Sequence, residues 1–123
     1  MVKTIFLVDD EKHLVELVTA ILESEKFKVI TASNGIDALA KLKKWKPDLM
    51  LLDMMMPGMS GIEVCEKIRA DPKLKDLKII PLSVVASQEI GAQKLKELNL
   101  PEYITKPFNN SELVRRIKKI LLK

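Results

Sequence analysis

Five side chains in this sequence are of types that handle charged oxygen ligands: Asp9, Asp10, Asp53, Ser83 and Lys106. Each stands at the end of a short apolar run. Phe6-Leu7-Val8 leads into Asp9-Asp10, Leu49-Met50-Leu51-Leu52 into Asp53, Ile79-Ile80-Pro81-Leu82 into Ser83, and Tyr103-Ile104-Thr105 into Lys106. If the three acids converge, they repel: two like charges about 4 Å apart cost on the order of 4 kcal/mol at an effective dielectric near 20. Either a proton or a cation must then offset them. Cys65 and His13 are the sole cysteine and histidine, so soft-ligand metal chemistry has no donor set. Oxygen donors favour a hard ion, Mg²⁺ first, which keeps waters for a phosphoryl oxygen. A hydroxyl and an ammonium opposite that ion suit phosphoryl oxygens, and one carboxylate is available as a nucleophile.

The elements that must position these groups follow from hydrophobic period. Thr4–Val8 reads as a strand buried on both faces. Leu14, Leu17, Val18, Ile21 and Leu22 share one face of a helix from about Glu11 to Ser24. Phe27–Ala32 is a second strand, turned by Ser33-Asn34-Gly35 into a helix through Lys44, with Trp45 packing at its end before Pro47 stops it. Asp48–Asp53 is a third strand, and Ser60 with Glu63 has the capping-box pattern for a helix to about Ala70. Lys78–Ser83 is a fourth strand, in which Pro81 lacks a ladder donor and is expected to distort a central position. Ser87–Leu98 is helix-like with Gly91 interrupting it, and Leu100–Thr105 is a fifth strand. Asn109 and Glu112 cap a last helix with Leu113, Val114, Ile117, Ile120 and Leu121 on one stripe. Five alternations predict an α/β fold, a doubly wound five-stranded parallel sheet with helices on both faces. Ligands of such sheets bind beyond the carboxyl ends of the strands, the edge at which all five polar groups fall.

The segments Phe6-Leu7-Val8-Asp9-Asp10-Glu11, Leu51-Leu52-Asp53-Met54-Met55-Met56-Pro57-Gly58-Met59-Ser60-Gly61, Leu82-Ser83 and Tyr103-Ile104-Thr105-Lys106-Pro107-Phe108 resemble the receiver domain of two-component response regulators. The resemblance is chemotaxis-regulator-like and runs over about residues 3–122. It implies a flavodoxin-like (βα)5 fold with strand order 2-1-3-4-5. It also implies that Asp53 is the phosphoacceptor, charged by a sensor histidine kinase, a phosphotransfer protein or a small donor. Mg²⁺ would be held by Asp10, Asp53 and the backbone carbonyl of Met55, with Asp9 assisting, in part through water. Ser83 and Lys106 would engage the phosphoryl group, the Lys106–Pro107 peptide would be cis, and Tyr103 would turn inward on phosphorylation. The surface of the fourth helix, fifth strand and fifth helix, where Arg115, Arg116, Lys118 and Lys119 lie, would meet an output partner or a second copy. Such a domain is a switch that assists its own phosphorylation and dephosphorylation, not an enzyme acting on a separate substrate.

The sequence departs from the family pattern near the site. Val84 stands where Ala or Gly is more frequent, and Met55 and Val85 are apolar where many members carry a polar group that orients water. Slow phosphorylation by small donors and slow hydrolysis are the expectation. Two rival readings are a haloacid-dehalogenase-type phosphatase, which needs an acid where Met55 stands, and a phosphate-independent interaction module.

The 123 residues are read as one receiver domain, 1–123. The formal charge of +4 is interspersed, a weak pointer to nucleic acid, and no direct binding of it is expected. One cysteine excludes an internal disulfide, and no apolar run approaches the roughly 20 residues of a membrane span. No signal peptide follows Met1-Val2-Lys3, so a cytoplasmic protein is expected, either stand-alone or trimmed from a longer regulator. His13 is expected to be a solvated surface residue, Cys65 a small core residue, and the methionines around Pro57 flexible apolar contacts.

Overall fold

A computed structural model describes residues 2–83, 91–100 and 102–122. Along the chain run β1 (Thr4–Val8), α1 (Lys12–Ser24), β2 (Lys28–Ala32), α2 (Gly35–Leu42), β3 (Leu49–Asp53), α3 (Gly61–Ala70), β4 (Ile79–Ser83), α4 (Ala92–Glu97), β5 (Ile104–Thr105) and α5 (Asn110–Leu121). The strands form one parallel sheet in the order β2-β1-β3-β4-β5. This is the doubly wound α/β fold the alternation predicts.

Strand alternation divides the core into two layers. Phe6, Val8, Met50 and Leu52 face one side, packed with Ala38, Leu42, Val64 and Ile68 of α2 and α3. Ile5, Leu7, Leu49 and Leu51 face the other, against Val18 and Leu22 of α1 and Leu113 and Ile117 of α5. Every residue of β3 is buried, and each of its apolar side chains contributes roughly 1.5–3 kcal/mol by leaving water. Side-chain caps set three helix starts: Asn34 Oδ1 accepts from the Asp37 N–H at 2.8 Å, Asn109 Oδ1 from Glu112 N–H at 3.1 Å, and Ser60 with Glu63 forms the reciprocal capping box.

Several local expectations are corrected. Leu17 is 53% exposed, because the sheet covers only the Val18–Leu22 side of α1. The second helix ends at Leu42, with turn hydrogen bonds carrying the chain through Lys43 and Lys44, and Trp45 is left 46% exposed rather than packed away. The fifth strand is only Ile104–Thr105, with Leu100 buried outside it. Gly91, at φ +82°, sits at the N-terminus of α4 instead of interrupting it; the earlier part of the helix expected from Ser87 lies outside the described residues.

Pro81 does not distort β4. The Lys78 and Leu82 carbonyls accept from Met50 and Met54 on the β3 side, whereas Ser83 accepts from Lys106 on the β5 side. In a parallel strand these directions alternate, so the missing N–H of Pro81 faces the β5 side. The β4–β5 register begins only at Leu82, so the ring sits before the paired stretch and interrupts no rung of it.

Arg69, near the end of α3, binds the irregular segments together. Its guanidinium donates to the carbonyls of Leu98 (2.7 Å), Leu77 (2.7 Å), Lys75 (2.8 Å) and Asn99 (3.3 Å). One side chain thus ties α3 to the loop before β4 and to the end of α4.

Candidate functional site

The carboxyl edge of the sheet gathers the polar groups. Asp9 follows β1 directly and is buried, its backbone N–H donating to the Ala32 carbonyl at 3.2 Å. Its Oδ1 accepts from the Glu11 N–H at 2.9 Å and its Oδ2 from Lys106 Nζ at 2.6 Å. Asp10 beside it is exposed. Asp53 is the last residue of β3 and only 5% exposed, so the buried strand carries its carboxylate into the protein's edge rather than into solvent. One Asp53 oxygen accepts from the Met55 N–H at 3.1 Å and lies 3.5 Å from Lys106 Nζ. A carboxylate oxygen from each of Asp9, Asp10 and Asp53 lies within 4.8 Å of the others. A groove of about 470 Å³ opens beside Asp9 and Asp10, between α1 and the β2–α2 turn.

Lys106 reaches this cluster because its backbone is fixed first. Its N–H donates to the Ser83 carbonyl at 2.7 Å, joining the ends of β4 and β5, and the Lys106–Pro107 peptide is cis. Ser83 is buried at the same edge. Tyr103 is half-buried just before β5, and the Met55 side chain is 64% exposed. Val84 and Val85 lie outside the described residues.

A residue the motif reading missed sets the loop after Asp53. A Cβ built on Gly61 would meet the Asp53 carbonyl oxygen and the Met54 Cα, each at 2.6 Å. The start of α3 therefore lies directly against the backbone that carries Asp53, and the Gly61 N–H donates to the Met54 carbonyl at 3.2 Å. A glycine immediately after a capping serine was the available signal, since glycine is a poor helix former there unless something crowds it.

The electrostatics follow from burial. Asp53 is pushed from 3.8 up to about 6, chiefly by desolvation. The Met55 N–H pulls it down, Asp9 pushes it up, the Lys106 ammonium pulls it down, and Asp10 adds a further upward push. Burial works to lower the Lys106 pKa, but its hydrogen bond to Asp9 and the charges of Asp9 and Asp53 together hold it above its ordinary value. With one ammonium against three carboxylates the edge stays short of positive charge. An all-oxygen donor set of three carboxylates this close fits a hard divalent cation by charge and by ligand type.

The response regulator receiver domain family matches residues 5–118. The phosphate regulon transcriptional regulatory protein PhoB of Pseudomonas aeruginosa is 40% identical over 119 residues, covering 97% of this chain and 52% of that protein. The alkaline phosphatase synthesis transcriptional regulatory protein PhoP of Bacillus subtilis is 39% identical, covering 98% and 49%. The chain spans about half the length of the curated relatives it matches. Among solved structures, chemotaxis protein CheY4 of Vibrio cholerae is 29% identical with a TM-score of 0.90, covering 98% of this chain and 100% of that one. Response regulator protein TrrA of Thermotoga maritima, in complex with Mg²⁺-BeF, is 40% identical with a TM-score of 0.83, covering 97% and 99%. An acidic pair after β1, an aspartate closing β3 and a lysine after β5, found in a five-stranded sheet of this order with that match along nearly its whole length, make this chain a member of the response regulator receiver domain family.

Proposed function

We propose that the chain, read as a single receiver domain over residues 1–123, is a phosphorylation-controlled switch of a two-component system with Asp53 as its phosphoacceptor. The observation that carries this is the buried Asp53 carboxylate, held between the Met55 N–H and the Lys106 ammonium and beside Asp9 and Asp10. A phosphohistidine on a kinase or phosphotransfer protein is the donor chemistry. An Asp53 oxygen attacks phosphorus, the P–N bond breaks, and the electron pair leaves on the imidazole nitrogen, giving an aspartyl phosphate.

Asp10, Asp53 and the Met55 carbonyl would hold Mg²⁺, with Asp9 assisting in part through water. When bound, the ion supplies positive charge to the carboxylates and to the phosphoryl oxygens. The chain's own groups do the rest. The Met55 N–H orients one Asp53 oxygen, leaving the other for attack. The Lys106 ammonium, already 2.6 Å from Asp9, turns to the new dianion, and the Ser83 hydroxyl donates to it. Tyr103 then packs inward, and the face built by α4, β5 and α5 changes toward an output protein or a second copy. The exposed, apolar Met55 gives attacking water no polar partner, which supports a slow return to the unphosphorylated form. Val84 and Val85 carry the same proposal from sequence alone.

Receiver domains are signalling switches, and the apolar Met55 also disfavours the phosphatase reading, which needs a proton donor at that position. Among the described residues no helix is long and apolar enough to cross a membrane; a cytoplasmic site of action is part of the proposal. The test is intact-mass measurement after incubation with Mg²⁺ and acetyl phosphate or phosphoramidate. Gain of one phosphoryl group, absent in Asp53→Asn, is expected. No gain from these donors or from a cognate kinase would leave an interaction module that works without phosphate.

A further inference from the structure

The amino edge of the same sheet carries a second feature, at the opposite end of β3 from Asp53. The loops entering β3 and β4 wall a groove of about 710 Å³. Lys43, Lys44, Lys46, Lys73 and Lys78 line it, all are exposed, and among the described residues none of them stands in an ion pair. Two acids oppose these five cations, and one of them, Asp48, spends an oxygen on the Thr4 N–H at 2.7 Å. Lys43 and Lys44 follow α2, where basic residues offset the helix dipole. That accounts for neither Lys46 nor the lysines of the facing loop.

The floor is of a different kind. Leu42 is buried, Leu74 and Leu77 are partly so, and Trp45 leaves nearly half its surface open between Lys44 and Lys46. Positive charge along both walls calls for an anionic occupant extended along the groove. The aliphatic floor calls for apolar side chains on that occupant. A single-stranded nucleic acid could stack on the indole, but its bases would leave the leucines unmatched. A compact phosphate ligand would want focused donors, whereas these cations are spread over two loops.

We propose that this groove docks an acidic segment of a partner protein whose apolar side chains enter between the two loops. The site is independent of Asp53 chemistry, since the charge and the floor both belong to the opposite edge. The receiver could thus stay tethered to a partner in either phosphorylation state.

Trp45 is the sole tryptophan of the chain and reports on the groove directly. The full chain would be titrated with a synthetic peptide alternating glutamate and leucine, following indole emission. A saturable shift is expected, with the dissociation constant raised at least about tenfold in the triple variant Lys46→Glu/Lys73→Glu/Lys78→Glu. It should be unchanged in Lys28→Glu/Lys96→Glu, which reverses charge outside the groove, and unchanged in Asp53→Asn. Backbone amide shifts of the unaltered protein should cluster in residues 43–48 and 71–78, a readout that needs no variant. Absence of a saturable shift, equal weakening by the Lys28 and Lys96 changes, or amide shifts elsewhere would overturn the proposal. Tighter binding of oligothymidylate than of the peptide would also overturn it, in favour of a nucleic-acid surface.

Discussion

β3 leaves the lysine-lined groove at Leu49 and ends on Asp53, so one short buried strand joins two edges of opposite charge. At the carboxyl edge the charged groups are buried and close together: Asp9 and Asp53 are nearly inaccessible and share one ammonium, and burial, with a smaller push from Asp9, raises the Asp53 pKa to about 6. At the amino edge five lysines stand in solvent without ion pairs among the described residues. Burial makes the difference. A charge out of water depends on each neighbour by several kcal/mol, whereas an exposed charge is screened and replaceable. One edge is therefore suited to covalent chemistry that adds charge, and the other to reversible contact.

The sharpest way to break this contrast is to exchange single groups across it. Asp53→Asn should abolish phosphoryl incorporation from acetyl phosphate in an intact-mass assay, while the triple reversal of Lys46, Lys73 and Lys78 should leave incorporation within about twofold of the parent, because exposed charges this far from the site are screened.

Next in size is the pH dependence of stability without divalent ions. An acid whose pKa is raised by folding binds its proton more tightly in the folded state, so its contribution is greatest below the unfolded value and is lost as pH rises through the folded one. For Asp53 that window runs from 3.8 to about 6. Asp9, Asp10 and Lys106 are the charges that face it. Urea unfolding in chelator should show Asp53→Asn more stable than the parent above pH 6, by up to about 3 kcal/mol. The gain should vanish near pH 4 and shrink when Mg²⁺ is added. A gain equal at both pH values would place its cause in packing instead.

Gly61→Ala should cost about 2 kcal/mol in the same assay, since a Cβ would overlap backbone atoms that have no free rotamer to escape into. It should also slow phosphorylation, because the shifted backbone carries Asp53. The smallest effect belongs to the solvent edge: Lys46→Glu alone should change stability by less than about 0.5 kcal/mol. A larger loss would mean that the groove lysines are structural.

Much of the carboxyl edge was legible in the sequence because each polar residue closes an apolar run, and the run tells where the strand ends. Asp9, Asp53, Ser83 and Lys106 all stand at that edge for this reason. Period alone could not say how far the sheet reaches across a helix, hence Leu17 was misjudged. Nor could composition tell which flank of β4 a missing N–H would face, hence Pro81. Gly61 and Arg69 were missed for a related cause. Their partners are backbone atoms, the Asp53 and Met54 backbone for one and four carbonyls for the other, and backbone partners leave no pattern in side-chain types. The lysine groove went unread because its two walls come from separate loops that only the fold brings together.

The bond from Lys106 Nζ to Asp9 Oδ2 spans 97 positions of the chain. During synthesis, β1 through β4 can pair before Lys106 has left the ribosome, and until then Asp9 and Asp53 are without its ammonium. A nascent chain of that length would hold two carboxylates in a site that only a proton or a bound cation could offset. Completion of the last strand therefore brings the Lys106 ammonium to Asp9 and Asp53, and a polypeptide without β5 would rely on a proton or a bound cation to offset those two carboxylates.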